Sequence, residues 1–260
     1  MTKPRRMRER RNWAWLAAIT LVKPTLRAFT RHEWIDGDKL PATGGCVVVA
    51  NHVSHIDPLT YAHLFHDNGR LPRILAKEAL FDVPVLGTIM KSTGQIPVAR
   101  QTSNAAHAFE AAVQGVKGGK LVFFYPEGTL TRDPDLWPMV GKSGAVRVAL
   151  EAGSALIPVA QWGQQHILYP YAKRPHLIPR RLVRIKVGDP VDLDDLRGQE
   201  ITTELLHEGT DRMMTAITSL LEDLRGERAP KERFDPKKHG VAPIGNPHKK
   251  PQLQPGEEEA

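Results

Sequence analysis

Residues 46–58 read Cys-Val-Val-Val-Ala-Asn-His-Val-Ser-His-Ile-Asp-Pro. The first five form a short apolar run after a glycine turn, which is typical of a buried strand. Pro58 suits the first turn of a helix, so a helix is expected to follow the polar loop. A strand, a loop and a helix in this order predict a layered α/β fold.

Strand and helix patterns continue to alternate along the chain. Further strands are predicted at 121–125, 156–162 and 183–187, and helices around 106–116, at 143–152 and at 206–224. We therefore expect one α/β domain whose largely parallel or mixed sheet is flanked by helices. A chain of 260 residues, 41% hydrophobic and 25% charged, is long enough to bury such a core.

The composition limits which classes of binding partner and which redox compartment are expected. A formal charge of +7 favours anionic partners, which include nucleic acid, anionic lipid and phosphorylated substrates. Cys46 is the single cysteine, so no internal disulfide can form and a reducing compartment is the natural interpretation.

We expect three parts: a membrane-associating segment at 1–35, the domain at 36–225, and a disordered, charged, proline-rich tail at 226–260. Within the first part, a basic cluster precedes the apolar stretch 13–22, which is too short to span a bilayer. Tryptophans beside basic residues favour an amphipathic helix in the headgroup region. The alternatives are a helix merely packed on the domain and the core of a signal peptide, which has no small-x-small cleavage pattern here.

The loop after the first strand carries His52 and Asp57. A histidine can take a proton from an attacking hydroxyl, and a carboxylate on its other ring nitrogen fixes the tautomer. These two residues are therefore the candidate general base and its partner. The alternative for Asp57 is a helix cap ahead of Pro58, which can coexist with the orienting role. Ser54 and His55 are expected to shape the turn.

Two later turns carry further polar residues. Arg100 ends the segment Gly-Gln-Ile-Pro-Val-Ala-Arg at 94–100, and its planar fork suits a phosphate, although a solvated arginine is the simpler alternative. Glu127, Gly128 and Thr129 follow a strand in the turn Tyr-Pro-Glu-Gly-Thr at 125–129. Glu127 is expected to accept hydrogen bonds from a glycerol hydroxyl or to hold a cation such as Arg100, unless it is an ordinary turn carboxylate.

Four segments in order resemble the glycerolipid acyltransferase family: Asn-His-x-Ser-x-x-Asp, Gly-x-Ile-Pro-Val-x-Arg, Phe-x-Pro-Glu-Gly-Thr and Ile-Pro-Val. The resemblance covers about residues 45–190 and is supported by Lys-Glu-Ala-Leu at 77–80 and Gly-Lys-Ser-Gly at 141–144. One departure is Leu-Thr-Arg at 130–132, where the family often has Arg-Ser directly after Gly-Thr. This departure leaves the role of Arg132 open.

The resemblance implies that His52 is the general base and Asp57 its partner. It implies four residues at the acyl-acceptor site: Arg100, Glu127, Gly128 and Thr129. Lys77 or a backbone N–H is a candidate donor to the oxyanion. The implied reaction moves a fatty acyl group from acyl-CoA or acyl carrier protein directly to the free hydroxyl of 1-acyl-glycerol-3-phosphate and forms phosphatidic acid. The thioester is a co-substrate, and neither a cofactor nor a metal is expected.

The expected partners are an anionic membrane surface, a lysophospholipid acceptor and the thioester donor, with no nucleic acid. We expect peripheral attachment at the cytoplasmic face of the cell membrane. Alternatives are an acyltransferase for another lysolipid or glycolipid, and a nonenzymatic lipid- or nucleic-acid-binding protein. A metal-dependent hydrolase using His52, His55 and Asp57 is disfavoured, because no later cluster of ligands has suitable spacing.

Overall fold

The computed structural model describes residues 4–98 and 104–242. The helices and strands in chain order are α1 (Trp13–Phe29), β1 (Thr30–Ile35), β2 (Cys46–Ala50), α2 (Asp57–Asp67), β3 (Pro72–Lys77), α3 (Leu86–Ser92), β4 (Ile96–Val98), α4 (Asn104–Lys117), β5 (Leu121–Phe124), α5 (Gly144–Glu151), β6 (Ala155–Trp162), β7 (Arg181–Val187) and α6 (Thr203–Arg225).

The strands form one seven-stranded sheet in the order β1-β7-β6-β2-β5-β3-β4. Neighbouring strands are parallel except for β6 and β7, which are antiparallel. In the centre, Val48 lies between Phe123 of β5 and Ile157 of β6. The expected single α/β domain with a mixed sheet is therefore confirmed.

Helices cover both faces of the sheet. Apolar residues of α4, α5 and α6 pack against one face of β2 and β5, and α2 packs against the other. Burial on both faces explains why β2 is a continuous apolar run rather than an alternating one. Cys46 lies fully buried at its start, and burial raises the pKa of its thiol to about 11.

The amino-terminal segment is more closely joined to the domain than the sequence indicated. Helix α1 continues past 22 and through Pro24 to Phe29. Strand β1 then pairs in parallel with β7, so residues 30–35 belong to the sheet. The expected boundary at residue 35 is wrong, because the half-exposed strand β1 carries too few apolar residues to stand out in the sequence.

Chain segments outside these elements also contact the domain. Glu9 accepts a hydrogen bond from the buried Arg70 at 3.1 Å. On the carboxyl side, Phe234 accepts from the amide of Val140 at 3.1 Å, and Arg233 pairs with Asp211 of α6. The expected disordered tail therefore does not begin at 226, and residues 243–260 lie outside the described part of the chain. None of the described helices is long and apolar enough to cross a membrane.

Candidate functional site

The candidate site lies at the carboxyl ends of β2, β5 and β6, where parallel strands of an open sheet present their loops. Asn51 follows β2 and fixes this edge. Its Oδ1 accepts from the amide of Gln161 at 2.9 Å, and its Nδ2 donates to the carbonyl of Gln161 at 3.1 Å. The polar loop after β2 is therefore anchored to β6 at the residue before His52.

The structure brings His52 and Asp57 together. His52 Nδ1 lies 2.9 Å from Asp57 Oδ2. The same oxygen accepts from the backbone amides of Val53 at 2.7 Å and Ser54 at 2.8 Å. Asp57 is the first residue of α2, and its side chain turns back to the loop, so the alternative interpretation of a helix cap is not observed. Because Nδ1 faces the carboxylate, Nε2 is the nitrogen left for a substrate.

The two members of this pair differ in how deeply their side chains are buried. The Asp57 carboxyl is fully buried, which raises its pKa, whereas the bonds from His52, Ser54 and Val53 act in the opposite direction. The His52 side chain is 14% exposed. Its ring stacks on Tyr125 with the centroids 3.9 Å apart and the planes within 15°. The imidazole is thus fixed by one hydrogen bond and one ring face.

Glu127 has a different environment from the one expected. Its Oε1 accepts from the amide of His52 at 3.2 Å, and its Oε2 accepts from the amide of Met139 at 3.1 Å. The residue is 4% exposed, and burial raises the pKa of its carboxyl to about 8. Both oxygens are engaged by backbone donors behind the cavity wall, so Glu127 positions the His52 backbone and is not open to a glycerol hydroxyl.

Gly128 and Thr129 lie in front of Glu127 and line a cavity. Gly128 has φ +70°, and a Cβ there would lie 3.0 Å from Lys142 Nζ. The positive φ therefore favours glycine at this turn, and the end of the Lys142 side chain lies close against it. The hydroxyl of Thr129 lies 3.4 Å from that of Tyr171.

The cavity has a volume of about 1550 Å³ and contains His52 and Lys77 in its wall. Apolar side chains of α1, α2 and α3 supply much of the remaining wall. Val98, at the end of β4, also lines it. Arg100 follows two residues later and lies outside the described residues. His52 thus opens on a mainly apolar space large enough for a lipid chain.

Sequence reasoning missed several cavity residues. Tyr125 and Tyr171 bracket the turn that carries Thr129, and Lys142 lies against Gly128. Tyr125 and Lys142 stood in segments that carried the family resemblance, but no local pattern placed their side chains in the cavity. The contact between Lys142 and Gly128 depends on the intervening loop, whose return to the turn is fixed by the bond from the Lys142 amide to the Pro126 carbonyl at 2.9 Å.

A second group of titratable residues lies where the cavity passes under α1. Asp67 ends α2 and accepts two hydrogen bonds. One comes from Lys23 Nζ of α1 at 2.5 Å and the other from the indole N–H of Trp34 of β1 at 3.2 Å. His63 Nε2 lies 3.3 Å from the same carboxylate. Burial disfavours the charge of Asp67, but bonds from His63, His66 and Lys23 lower its pKa well below the usual range. Within 4–98 and 104–242, no group of three or more His, Cys, Asp or Glu residues could hold a metal ion.

Several known proteins are similar in sequence to this chain. A chloroplastic 1-acyl-sn-glycerol-3-phosphate acyltransferase of Brassica napus is 32% identical over 124 residues, or 47% of this chain and 34% of the relative. The enzyme of the same name from Borreliella burgdorferi is 30% identical over 147 residues, or 56% of this chain and 52% of the relative. The chain thus spans about a third to a half of the length of these curated relatives.

The fold is also similar to a solved structure. The 1-acyl-sn-glycerophosphate acyltransferase PlsC of Thermotoga maritima superposes with a TM-score of 0.61 at 21% identity, covering 83% of this chain and 81% of that one. At this identity the likeness concerns the fold. The acyltransferase family model matches residues 33–162, which include β2, the His52–Asp57 loop and the Glu127 turn. The chain therefore belongs to the acyltransferase family.

Proposed function

We propose that this acyltransferase moves a fatty acyl group from a thioester to the free hydroxyl of 1-acyl-glycerol-3-phosphate and forms phosphatidic acid. The observation that carries the proposal is the His52–Asp57 pair at the wall of a large, mainly apolar cavity. The names of the relatives from Brassica napus and Borreliella burgdorferi support this acceptor.

In the proposed reaction, His52 Nε2 takes the hydroxyl proton as the hydroxyl oxygen attacks the thioester carbonyl carbon. The carbon–oxygen bond forms, the tetrahedral intermediate collapses, and the carbon–sulfur bond breaks. The imidazolium then returns its proton to the thiolate. Asp57 accepts the hydrogen bond from Nδ1–H and stabilises the imidazolium. General-base catalysis by the histidine contributes about 10²- to 10⁴-fold to the rate. Transfer is direct and uses no acyl-enzyme.

Positive charge is needed for the oxyanion and for the acceptor phosphate. Lys77 lines the cavity and can serve either group as a point charge. Arg100 is proposed to bind the phosphate with its planar fork. Its support is the position of Val98, which is two residues earlier in the chain and lines the same cavity.

The acceptor and the donor can be identified in one set of assays. The purified full-length chain is offered lysophosphatidic acid, lysophosphatidylcholine, lysophosphatidylglycerol and a glycolipid, each with acyl-CoA and with acyl carrier protein thioester. We expect transfer to lysophosphatidic acid to dominate. A preference for an acceptor without a phosphomonoester would overturn the acceptor assignment, and no transfer to any acceptor would overturn the function.

The Arg100 assignment has its own test. Arg100→Lys keeps the charge but loses the bidentate fork, so use of lysophosphatidic acid should fall more than use of monoacylglycerol, which has no phosphate. Arg147→Lys is a control, because Arg147 pairs with Glu151 on the exposed surface of α5. Equal losses with both acceptors would contradict phosphate recognition by Arg100.

We further propose peripheral attachment to the cytoplasmic face of the cell membrane through α1. The exposed positions of α1 between 13 and 25 are all uncharged and include Trp13, Leu16 and Leu21. Deletion of residues 1–31 would also remove part of β1, so a double substitution, Leu16→Glu with Leu21→Glu, is the cleaner test. It should weaken sedimentation with anionic vesicles. Unchanged sedimentation would exclude α1 as the attachment.

A further inference from the structure

An apolar turn projects from the connection between β3 and α3. Four of its side chains are exposed although they are large and apolar: Leu80 at 40%, Val83 at 43%, Val85 at 73% and Leu86 at 41%. Asp82 is the single charged residue between positions 79 and 90. Such a concentration of exposed aliphatic side chains marks an interaction surface.

The backbone of this turn has a strained conformation. Val85 has φ +66° and ψ −56°, and the amide of Leu86 donates to the carbonyl of Pro84 at 2.7 Å. This is a γ-turn with positive φ, which is strained and is particularly unfavourable for a β-branched residue. Backbone strain of this kind is concentrated where function requires a fixed conformation.

Two contacts keep the base of the turn compact. Phe81 is buried, while a Cβ on Gly87 would lie 2.0 Å from the Phe81 carbonyl oxygen, so only glycine permits this approach. The amide of Gly87 also donates to Val83 at 2.7 Å. Phe81 thus anchors the turn while Val83 and Val85 face outward.

The turn lies at the cavity mouth. Leu80 and Leu86 are exposed and also line the cavity, as does Leu59 of α2, which is 42% exposed. We call Leu59, Leu80, Val83, Val85 and Leu86 the apolar rim. Helix α3 contacts α1, where Asn12 donates to the Ser92 carbonyl at 2.6 Å. The rim is therefore on the same side of the sheet as α1.

We propose that the apolar rim is a second membrane-contact surface, which inserts into the lipid layer so that the cavity opens directly to it. The proposal rests on the proposed function, because a lysolipid acceptor carries an acyl chain. If the cavity opens directly to the lipid layer, that chain can pass from the bilayer into the cavity without contact with water. A lipid layer fits better than a folded partner, since the rim borders an apolar cavity and the exposed Lys77 and Lys91 flank the turn in the sequence, where they can contact anionic headgroups.

The test uses the full-length chain with Val83→Asp and Val85→Asp together. Val85→Gly is the second variant, because glycine accepts the positive φ and only the apolar side chain is lost. The matched control is Leu182→Asp: Leu182 is 49% exposed but alternates with the inward-facing Val183 and so lies on the opposite face of the sheet. All three variants are checked by thermal melts.

Two readouts separate membrane contact from catalysis. The first is sedimentation with vesicles of phosphatidylcholine and phosphatidylglycerol. The second is acyl transfer to long-chain lysophosphatidic acid in those vesicles and to a short-chain, water-soluble lysophosphatidic acid. The double variant should bind vesicles on the order of tenfold more weakly and lose transfer to the embedded acceptor. Its transfer to the soluble acceptor should match that of the wild type, and Leu182→Asp should change neither readout.

Unchanged vesicle binding by the double variant would overturn the proposal. So would an equal loss of transfer to both acceptors. Loss of transfer from a carrier-protein donor alone, with vesicle binding intact, would indicate a protein partner at the rim and would likewise overturn it. Failure of the proposed function is distinguishable, because the wild type would then transfer to neither acceptor while vesicle sedimentation would still report on the rim.

Discussion

Helix α2 begins with Asp57 and ends with Asp67, and each aspartate lies beside a histidine. Asp57 is bonded to His52 and to two amides of the preceding loop. Asp67 lies against His63, but its other partners are Lys23 of α1 and Trp34 of β1. The first carboxylate holds a ring against a rigid turn, whereas the second joins three separate elements.

The position in the helix strengthens the contrast. A carboxylate is favoured at a helix amino terminus and disfavoured at the carboxyl terminus, so Asp67 depends on nearby cations for its charge. His63 is also almost completely buried, at 2% side-chain exposure against 14% for His52. Two histidine–aspartate pairs at opposite ends of one helix can therefore have different roles, which are decided by the remaining partners of each carboxylate and by access to the ring.

Substituting the two histidines should produce the largest difference. His52→Ala should lower turnover by about 10²- to 10⁴-fold with little loss of stability, because the proposed general base is removed. His63→Ala should lower the melting temperature but leave turnover per folded molecule within a small factor of the wild type. Steady-state kinetics and thermal melts measure both. Near-normal turnover by folded His52→Ala would break the comparison.

Substituting the two aspartates tests the same comparison between the Asp57 and Asp67 pairs. Asp57→Asn should reduce the plateau rate and move the acidic limb of the pH–rate profile to lower pH, since the imidazolium loses its counter-charge. Asp67→Asn should cost on the order of 3 kcal/mol of unfolding free energy by leaving Lys23 without its anion. The shape of its pH–rate profile should not change. A shifted profile for Asp67→Asn instead would assign it a part in the chemistry.

Glu127 tests the rigidity of the first pair. Glutamine can accept from only one of the amides of His52 and Met139, so Glu127→Gln should lose about 1–3 kcal/mol of unfolding free energy. In the wild type the folded chain holds the Glu127 proton up to a pKa of about 8, against the ordinary 4.5. Its contribution to stability is therefore present below about pH 4.5 and is lost as pH rises toward 8.

Denaturant titrations at several pH values measure both effects. The slope from this carboxyl should disappear in Glu127→Gln. A variant as stable as the wild type and with the same pH dependence would contradict the bridging role of Glu127.

The smallest effect concerns His32, whose ring lies 4.6 Å from that of His63. Burial and the nearby His63 lower its pKa from 6.5 to about 4. The unfolded chain therefore takes up this proton first, and stability falls as pH drops from about 6.5 toward 4. His32→Phe should reduce that fall by a few degrees in melting temperature without altering turnover at pH 7. An unchanged pH dependence would contradict this.

The sequence carries local information about the site, and its loop after β2 was predictable for that reason. The apolar run 46–50, the polar loop and Pro58 are adjacent, and the expected pairing of His52 with Asp57 is the one observed. Glu127 was misassigned because its amide partners come from two distant segments. The Asp67 group was not foreseen, since its members come from α1, β1 and α2 and no local pattern joins them.

Strands β1 and β3 escaped prediction for a different reason. Thr30–Ile35 and Pro72–Lys77 are only partly buried and mix charged with apolar residues, so neither continuous nor alternating hydrophobicity marks them. Their place in the sheet depends on pairing with β7 and β5, which lie far along the chain. The expected role of Arg100 stays a prediction.

The burial of Cys46 has a practical use. Its thiol is inaccessible, and burial raises its pKa to about 11, so it presents little thiolate to a maleimide or a methanethiosulfonate at neutral pH. The chain can therefore be labelled at one introduced cysteine without first removing a native one. A spin label or an environment-sensitive fluorophore at position 85, and another at 182, would report insertion depth on each face of the molecule.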